Sequence, residues 1–335
     1  DRTVSTARSL SLLAVWFRKN MFYYLLKRLA LVIPIALSVT IVCFSLVYIA
    51  PGDPLSAILP SDASIELIDK LKKDYGLDKP IPVQYAIWLG RAVQGDLGTS
   101  IATGRPVNAE LGRAIFNTLI LALFGSLIGF SLGLAFGTIA GYRQGSWIDK
   151  SVTALAVAGV SVPHYWLGMV MVIVFSVYFN MLPAMGAGPG GDWMWDAEHL
   201  QYVVLPAITI SVIPTAIVTR TVRALVADIL GREFVIALRA KGLTDRGVFW
   251  HVVKNAAPTS LAVMGVQLGY LMGGSILVET VFSWPGSGFL LNTAIFQRDI
   301  PLLQGTILAL ALFFVSLNLI VDLVQTALDP RIRRA

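Results

Sequence analysis

The side chains able to do chemistry are few in this chain and too scattered to form a centre. His164, His199 and His251 have no ligand-type partner at i, i+4 spacing, and the single cysteine, Cys43, lies inside an apolar run. A metal ion needs several such ligands converging on it, so neither a metal site nor a disulfide framework is expected. Cys43 reads as filler of a membrane span. No Gly-x-x-x-x-Gly-Lys-Ser/Thr stretch occurs, which excludes a phosphate cradle of that type. Glu279 and Asp322 fall at the ends of apolar runs and read as interface or helix-end residues rather than midplane ion relays. His164 follows Pro163 and reads as a packed, neutral ring beside a kink. The chain therefore has no expected catalytic set, and any active work it does must be driven from outside.

The elements that would position these residues are membrane helices. Of the 335 residues, 56% are hydrophobic and 14% charged, and the mean hydropathy is +0.72. Soluble domains carry about 25% charged residues, and a helix needs about 20 apolar residues to cross hydrocarbon. An all-α protein with six spans is expected, near Leu29–Ala50, Ile115–Ala140, Val152–Asn180, Val203–Thr219, Leu261–Val278 and Leu303–Val321.

Basic residues set the orientation. They crowd the segment before span one (Arg2, Arg8, Arg18, Lys19, Lys27, Arg28), the loop after span two (Arg143, Lys150), the loop between spans four and five, and the tail (Arg331, Arg333, Arg334). Both termini are thus expected in the cytoplasm. This placement also accounts for the net charge of +6 without any nucleic-acid partner. Residues 1–20 read as an N-terminal extension, with Met21 a plausible start, and 21–50 as the cytoplasmic N-terminus and first helix. Residues 51–114 form the one sizeable outer domain, with a polar helix expected over Ser64–Tyr75. A five-helix core (115–330) and a tail (331–335) follow. Trp193 and Trp195, in a short outer loop, suit the membrane interface. Glycines at 125, 129, 133, 137 and 141, and at 265, 269 and 273, make grooves suited to close helix packing.

One polar stretch, residues 228–258, is too structured to be a tether. Leu230, Phe234 and Leu238 recur at helical spacing while Arg232 and Arg239 fall on other faces, which predicts an amphipathic helix. Gly242 suits the left-handed position after its end, and Thr244 and Asp245 suit the cap of a second short helix running toward Pro258. With no internal energy source, this cytoplasmic helix pair is where drive would enter.

The stretch resembles the cytoplasmic loop of importer-type ABC permeases, through Glu233, Ala237, Ala240 and Gly242. The run Ala237-Leu-Arg-Ala-Lys-Gly242 is similar to that of the dipeptide/oligopeptide/nickel branch. Further matches follow in order: Pro51-Gly-Asp-Pro54, Gly76-Leu-Asp-Lys-Pro80, Gln84-Tyr85 with Trp88-Leu89, Gly95-Asp-Leu-Gly98, Trp284-Pro-Gly286, Arg298-Asp299 and Leu328-Asp-Pro-Arg-Ile332. Phe234 and Val235 depart from the shorter form of the loop motif, which has alanines there.

The resemblance implies a type I importer fold and a B-type permease subunit with no cofactor of its own. It also implies a homologous second permease, two ATP-binding subunits that hold ATP and Mg, and an outer solute-binding protein. In that frame Leu230–Gly242 is expected to move as a rigid lever. Glu233 would orient the docked helix, Phe234 and Leu238 would fill an apolar groove of the ATPase, and Gly242 would set the turn. Gln267, Tyr270 and Asn318 are candidate path residues. Trp284, Pro285, Gly286, Arg298 and Asp299 are candidates for binding-protein docking. Dipeptides or oligopeptides are the expected cargo. Nickel, a metal chelate or glutathione is the alternative within the family, and a stand-alone channel or intramembrane enzyme is the alternative outside it.

Overall fold

The computed structural model describes residues 30, 33–42, 44–45, 66 and 78–328, with side chains to residue 321. Ile33–Val42 (α1) is the described part of span one. Then come Ile81–Val93 (α2), Val107–Tyr142 (α3), Trp147–Ser161 (α4), His164–Met171 (α5) with a π-helical continuation Val172–Tyr178, and Ala197–Leu230 (α6). Glu233–Ala240 (α7), Asp245–Val281 (α8), Ser287–Gln297 (α9) and Ile300–Leu328 (α10) complete the described chain. Among the described residues the only β-type pairing outside helices is one bridge, Thr99 to Pro106. The helix expected over 64–75 (residue 66 apart), the PGDP stretch at 51–54, and both chain ends lie outside the described residues.

Helices α3, α6, α8 and α10 are each long and apolar enough to cross a membrane, and α4 with α5 makes a fifth, bent element. Their apolar residues surround the axis rather than forming one stripe, as expected of helices buried in lipid and protein together. The third span, expected over 152–180 with a kink at Pro163, turns by 97° between Ser161 and His164. Pro163 disfavours helical backbone in the residue before it, and Val162 is extended at φ −85°, ψ 124°. His164 opens α5 beyond this break, and its Nε2 is buried without a partner among the described residues.

The core of the bundle is the seam between α3 and α6. A Cβ added at Gly125 would lie 2.5 Å from Ile210 Cγ2, at Gly133 2.7 Å from Val218 Cβ, and at Gly141 2.7 Å from Val226 Cβ. The glycine row is a groove, and an i, i+4 ridge of α6 (Ile210, Pro214, Val218, Val222, Val226) fills it. The glycines of α8 behave differently. Gly269 faces Phe314 and Asn318 of α10 at ordinary contact distance, and Gly273 faces open space.

At the bundle end away from α7, the loop before α6 folds inward. Trp193, expected at the interface, is 6% exposed and packs at 5.7 Å from Trp284 and 6.0 Å from Phe124, whereas Trp195 is 66% exposed. Trp193 is drawn in because the rings of Phe124, His199 and Trp284 together offer it an apolar nest.

Candidate coupling site

Helix α6 ends at Leu230, and Gly231 and Arg232 make the break before α7. Leu230 is thus the last residue of the long helix rather than part of the short one, so the predicted lever begins at Glu233. Arg232 is extended at φ −78°, ψ 146°, and its guanidinium reaches back to Asp228 at 2.7 Å. Helix α7 closes as a Schellman turn. Gly242 N–H donates to Arg239 O at 2.9 Å, and Leu243 N–H to Leu238 O at 3.2 Å. Gly242 sits at φ +80° with nothing within 4 Å of a would-be Cβ, so backbone conformation alone demands glycine there. The Thr244 hydroxyl then accepts from Gly247 N–H, capping the next helix as expected. That helix is not short: α8 runs through Pro258 to Val281 without a break.

The orientation of α7 is the main result. Val235 is fully buried against Val226, Ile229, Val248 and Val252, with Phe234, Leu238 and Leu243 packed around them. Phe234 and Leu238, half-buried, pack against the same cluster and help hold α7 onto its own bundle. The outward face is made of Glu233, Ile236, Ala237 and Ala240, at i, i+3, i+4 and i+7, and Ile236 is 63% exposed. Its small residues flank one apolar knob, a shape that another protein's groove can receive. The departure at Phe234 and Val235 lies on the inward face and leaves the outward one intact. Ile236 went unnoticed in the sequence because four apolar side chains in succession-range, Phe234, Val235, Ile236 and Leu238, cover both faces of so short a helix.

The base of the site is braced from the side. Arg223, in the lower part of α6, forms a two-pronged pair with Asp149 at the start of α4, Nη2 to Oδ2 at 2.7 Å and Nε to Oδ1 at 2.9 Å. Asp149 is 3% exposed and also accepts from Gly145 N–H at 2.9 Å. The carboxylate thereby ties the α3–α4 turn to the helix that carries α7.

The candidate docking residues lie at the opposite end and are mostly internal. Trp284 is fully buried, and its Nε1–H donates to Asn117 O at 3.0 Å, while Asn117 Nδ2 donates to Pro285 O at 3.0 Å. Glu279, in the last turn of α8 as expected of a helix-end residue, is also fully buried and accepts from Thr118 Oγ1 at 2.7 Å and from the N–H groups of Gly288 and Phe289 at 2.7 and 3.2 Å. It caps α9 from a distance, where the helix N-terminus favours negative charge. A Cβ at Gly286 would meet the Glu279 carboxyl carbon at 2.5 Å, which explains the glycine of the Trp-Pro-Gly turn. Asp299 is buried too: it accepts from Ser100 Oγ at 2.5 Å, Ala102 N–H at 3.0 Å and Leu302 N–H at 3.1 Å. Of the five, Arg298, left-handed at φ +53°, presents its side chain outside.

Of the candidate path residues, Gln267 is 7% exposed and its Oε1 finds no partner among the described residues; Tyr270 is 39% exposed. Asn318 stands against Gly269, between them in sequence.

The family described as "Binding-protein-dependent transport system inner membrane component" matches residues 133–334, and its N-terminal component matches 21–118. The chain is 35% identical over 333 residues to the dipeptide transport system permease protein DppB of Alkalihalophilus pseudofirmus, covering 93% of this chain and 100% of that one. It is 36% identical over 314 residues to the glutathione transport system permease protein GsiC of Escherichia coli K12, covering 93% and 99%. Among solved structures, an inward-facing MetNI methionine ABC transporter shares the fold, with a TM-score of 0.53 at 18% identity over 65% of this chain and 96% of that one. A bundle packed through glycine carries a capped, outward-facing short helix between two of its longest helices, and the chain belongs to the binding-protein-dependent inner membrane components, the permease subunits of ABC importers.

Proposed function

We propose that this chain forms half of the translocation path of an ATP-driven importer of small peptides. The observation that carries the drive assignment is the outward face of α7, with Ile236 exposed between Ala237, Ala240 and Glu233 while Val235 anchors the other side. Such a helix transmits a push only if its inner face is fixed to the spans, and here it is fixed. The peptide assignment rests on relatives whose names give dipeptide and glutathione transport.

In this reading a homologous second permease completes the path. Two ATP-binding subunits, which hold the ATP and Mg, dock on α7 of each permease. The protein lies in a bacterial or archaeal inner membrane with both termini and α7 in the cytoplasm. A solute-binding protein docks on the opposite side, on the 51–114 segment and the loop that exposes Arg298. Closure of the ATPase pair moves α7 together with the base of α6, and the bundle switches between inward- and outward-facing arrangements through differential contacts with its partners. Gln267, Tyr270 and Asn318 supply amide and hydroxyl groups that match a peptide backbone, with Gln267 Oε1 ready to accept once the helices separate.

The test is uptake in a strain lacking the native gene and complemented with this one, using labelled dipeptide, labelled glutathione and labelled nickel. Dipeptide or glutathione uptake that needs ATP is expected. Uptake of nickel alone would overturn the peptide assignment, and uptake by the purified chain without ATPase subunits would overturn the subunit model. The relatives named for glutathione give that tripeptide equal standing as cargo.

A further inference from the structure

Helix α2 (Ile81–Val93) has the wrong surface for an aqueous domain. Its packed side is Gln84, Tyr85, Trp88, Leu89 and Ala92, and its outward side carries Pro82, Val83, Ala86, Ile87, Gly90 and Val93, with Arg91 at the margin. A helix facing water carries polar residues on that side. Here Arg91 is the one charged residue in the helix, and no residue of the helix is fully buried. Val93 is 80% exposed and Val83 43% exposed.

What α2 packs against indicates its surroundings. The Tyr85 hydroxyl lies 2.8 Å from Thr40 Oγ1, and Phe44 packs edge-on to the Tyr85 ring at 5.4 Å and near Trp88 at 6.1 Å. Thr40 and Phe44 belong to the apolar run Leu29–Ala50 of span one, with Thr40 near its middle, so α2 is clamped to a segment that lies in lipid. The outer flank of that span is apolar as well, with Ile41 and Val42 52% and 57% exposed.

We propose that α2 is a membrane-seated helix whose outward face lies in the acyl region of the bilayer beside span one. Tyr85 and Trp88 clamp it to Thr40 and Phe44, and Arg91, at its margin, extends toward the lipid phosphates. Its partner is the lipid surface, which makes this part of the 51–114 segment a membrane-seated brace for span one.

Site-directed spin labelling of the assembled importer in proteoliposomes tests this. Labels are placed singly at Val83→Cys and Ile87→Cys in a Cys43→Ser background, with Arg105→Cys as the aqueous reference and Leu127→Cys as the lipid reference. Collision with oxygen should exceed collision with a water-soluble nickel chelate several-fold at 83 and 87, as at 127 and opposite to 105. A chelate-dominated signal at 83 and 87 would overturn the proposal, and so would protection from both reagents, since that places protein rather than lipid over the face.

Discussion

Asp149 and Arg223, 74 residues apart in sequence, meet through two parallel hydrogen bonds of 2.9 and 2.7 Å. The pair lies beside the last turns of α6, directly before the short helix whose outward face we assign to ATPase docking. Rotation of α7 cannot leave α4 behind while the pair holds. It therefore turns two neighbouring spans into one body at this end of the bundle.

Arg223→Gln should leave a buried carboxylate without its cation. Hydrogen bonds to charged groups contribute about 1.5–3 kcal/mol, and a loss of that order is expected in the thermal stability of the purified importer. Arg223→Lys should recover only part of it, since an ammonium lacks the planar fork. The double variant Asp149→Asn, Arg223→Gln should lose less than the sum of the single changes. Additive losses would mean that the pair is not coupled.

Ile236→Asp and Val235→Ala separate docking from folding. Ile236 is exposed, so its replacement should leave the permease's melting temperature unchanged while abolishing co-purification with the ATPase subunits. Val235 is fully buried, and its truncation should cost about 1–3 kcal/mol through lost burial and a residual cavity. A reversed pattern, with Ile236 affecting stability and Val235 affecting only binding, would invert the orientation of α7.

Local chemistry made much of this end legible. The Gly242 turn and the Thr244 cap involve neighbours within a few residues, so residue type alone points to them. The glycine row of α3 was equally readable as a groove. The face of α7 that points inward was not, because Phe234, Val235, Ile236 and Leu238 cover both sides of a short helix and the surrounding bundle decides between them. Long-range pairs, such as Thr118 with Glu279 or Ser100 with Asp299, leave no trace in spacing. Prolines differ among themselves for a related reason. Pro206, Pro214 and Pro258 sit inside unbroken helices, whereas the chain turns by 97° at Pro163. Neighbouring helices determine whether freed backbone groups are satisfied in place.

Gly242→Val should weaken coupling without emptying the membrane of protein. The position has open space around it, so the cost is the left-handed backbone, roughly 1–2 kcal/mol for a residue with a Cβ and more for a branched one. The strain is relieved by opening the Schellman turn, which detaches the end of α7 from Leu238 and Leu243. Uptake per ATP hydrolysed should fall several-fold. Gly242→Asn, which tolerates the left-handed region, should retain most of it. Equal coupling in the Val variant and wild type would remove the turn from the transmission path.

Gly133→Leu should prevent assembly of the bundle, whereas Gly273→Leu should spare it. A Cβ at Gly133 already lies 2.7 Å from Val218 Cβ and 3.2 Å from Thr215 O, so α3 and α6 must move apart along the whole seam. At Gly273 the chain itself offers no obstacle within 4 Å. Detergent-solubilised yield and size-exclusion profile of the permease expressed alone distinguish the two. If Gly273→Leu folds alone but fails to join the second permease, the open glycine belongs to the subunit interface or the path. If both variants assemble normally, the groove-and-ridge account of the seam fails.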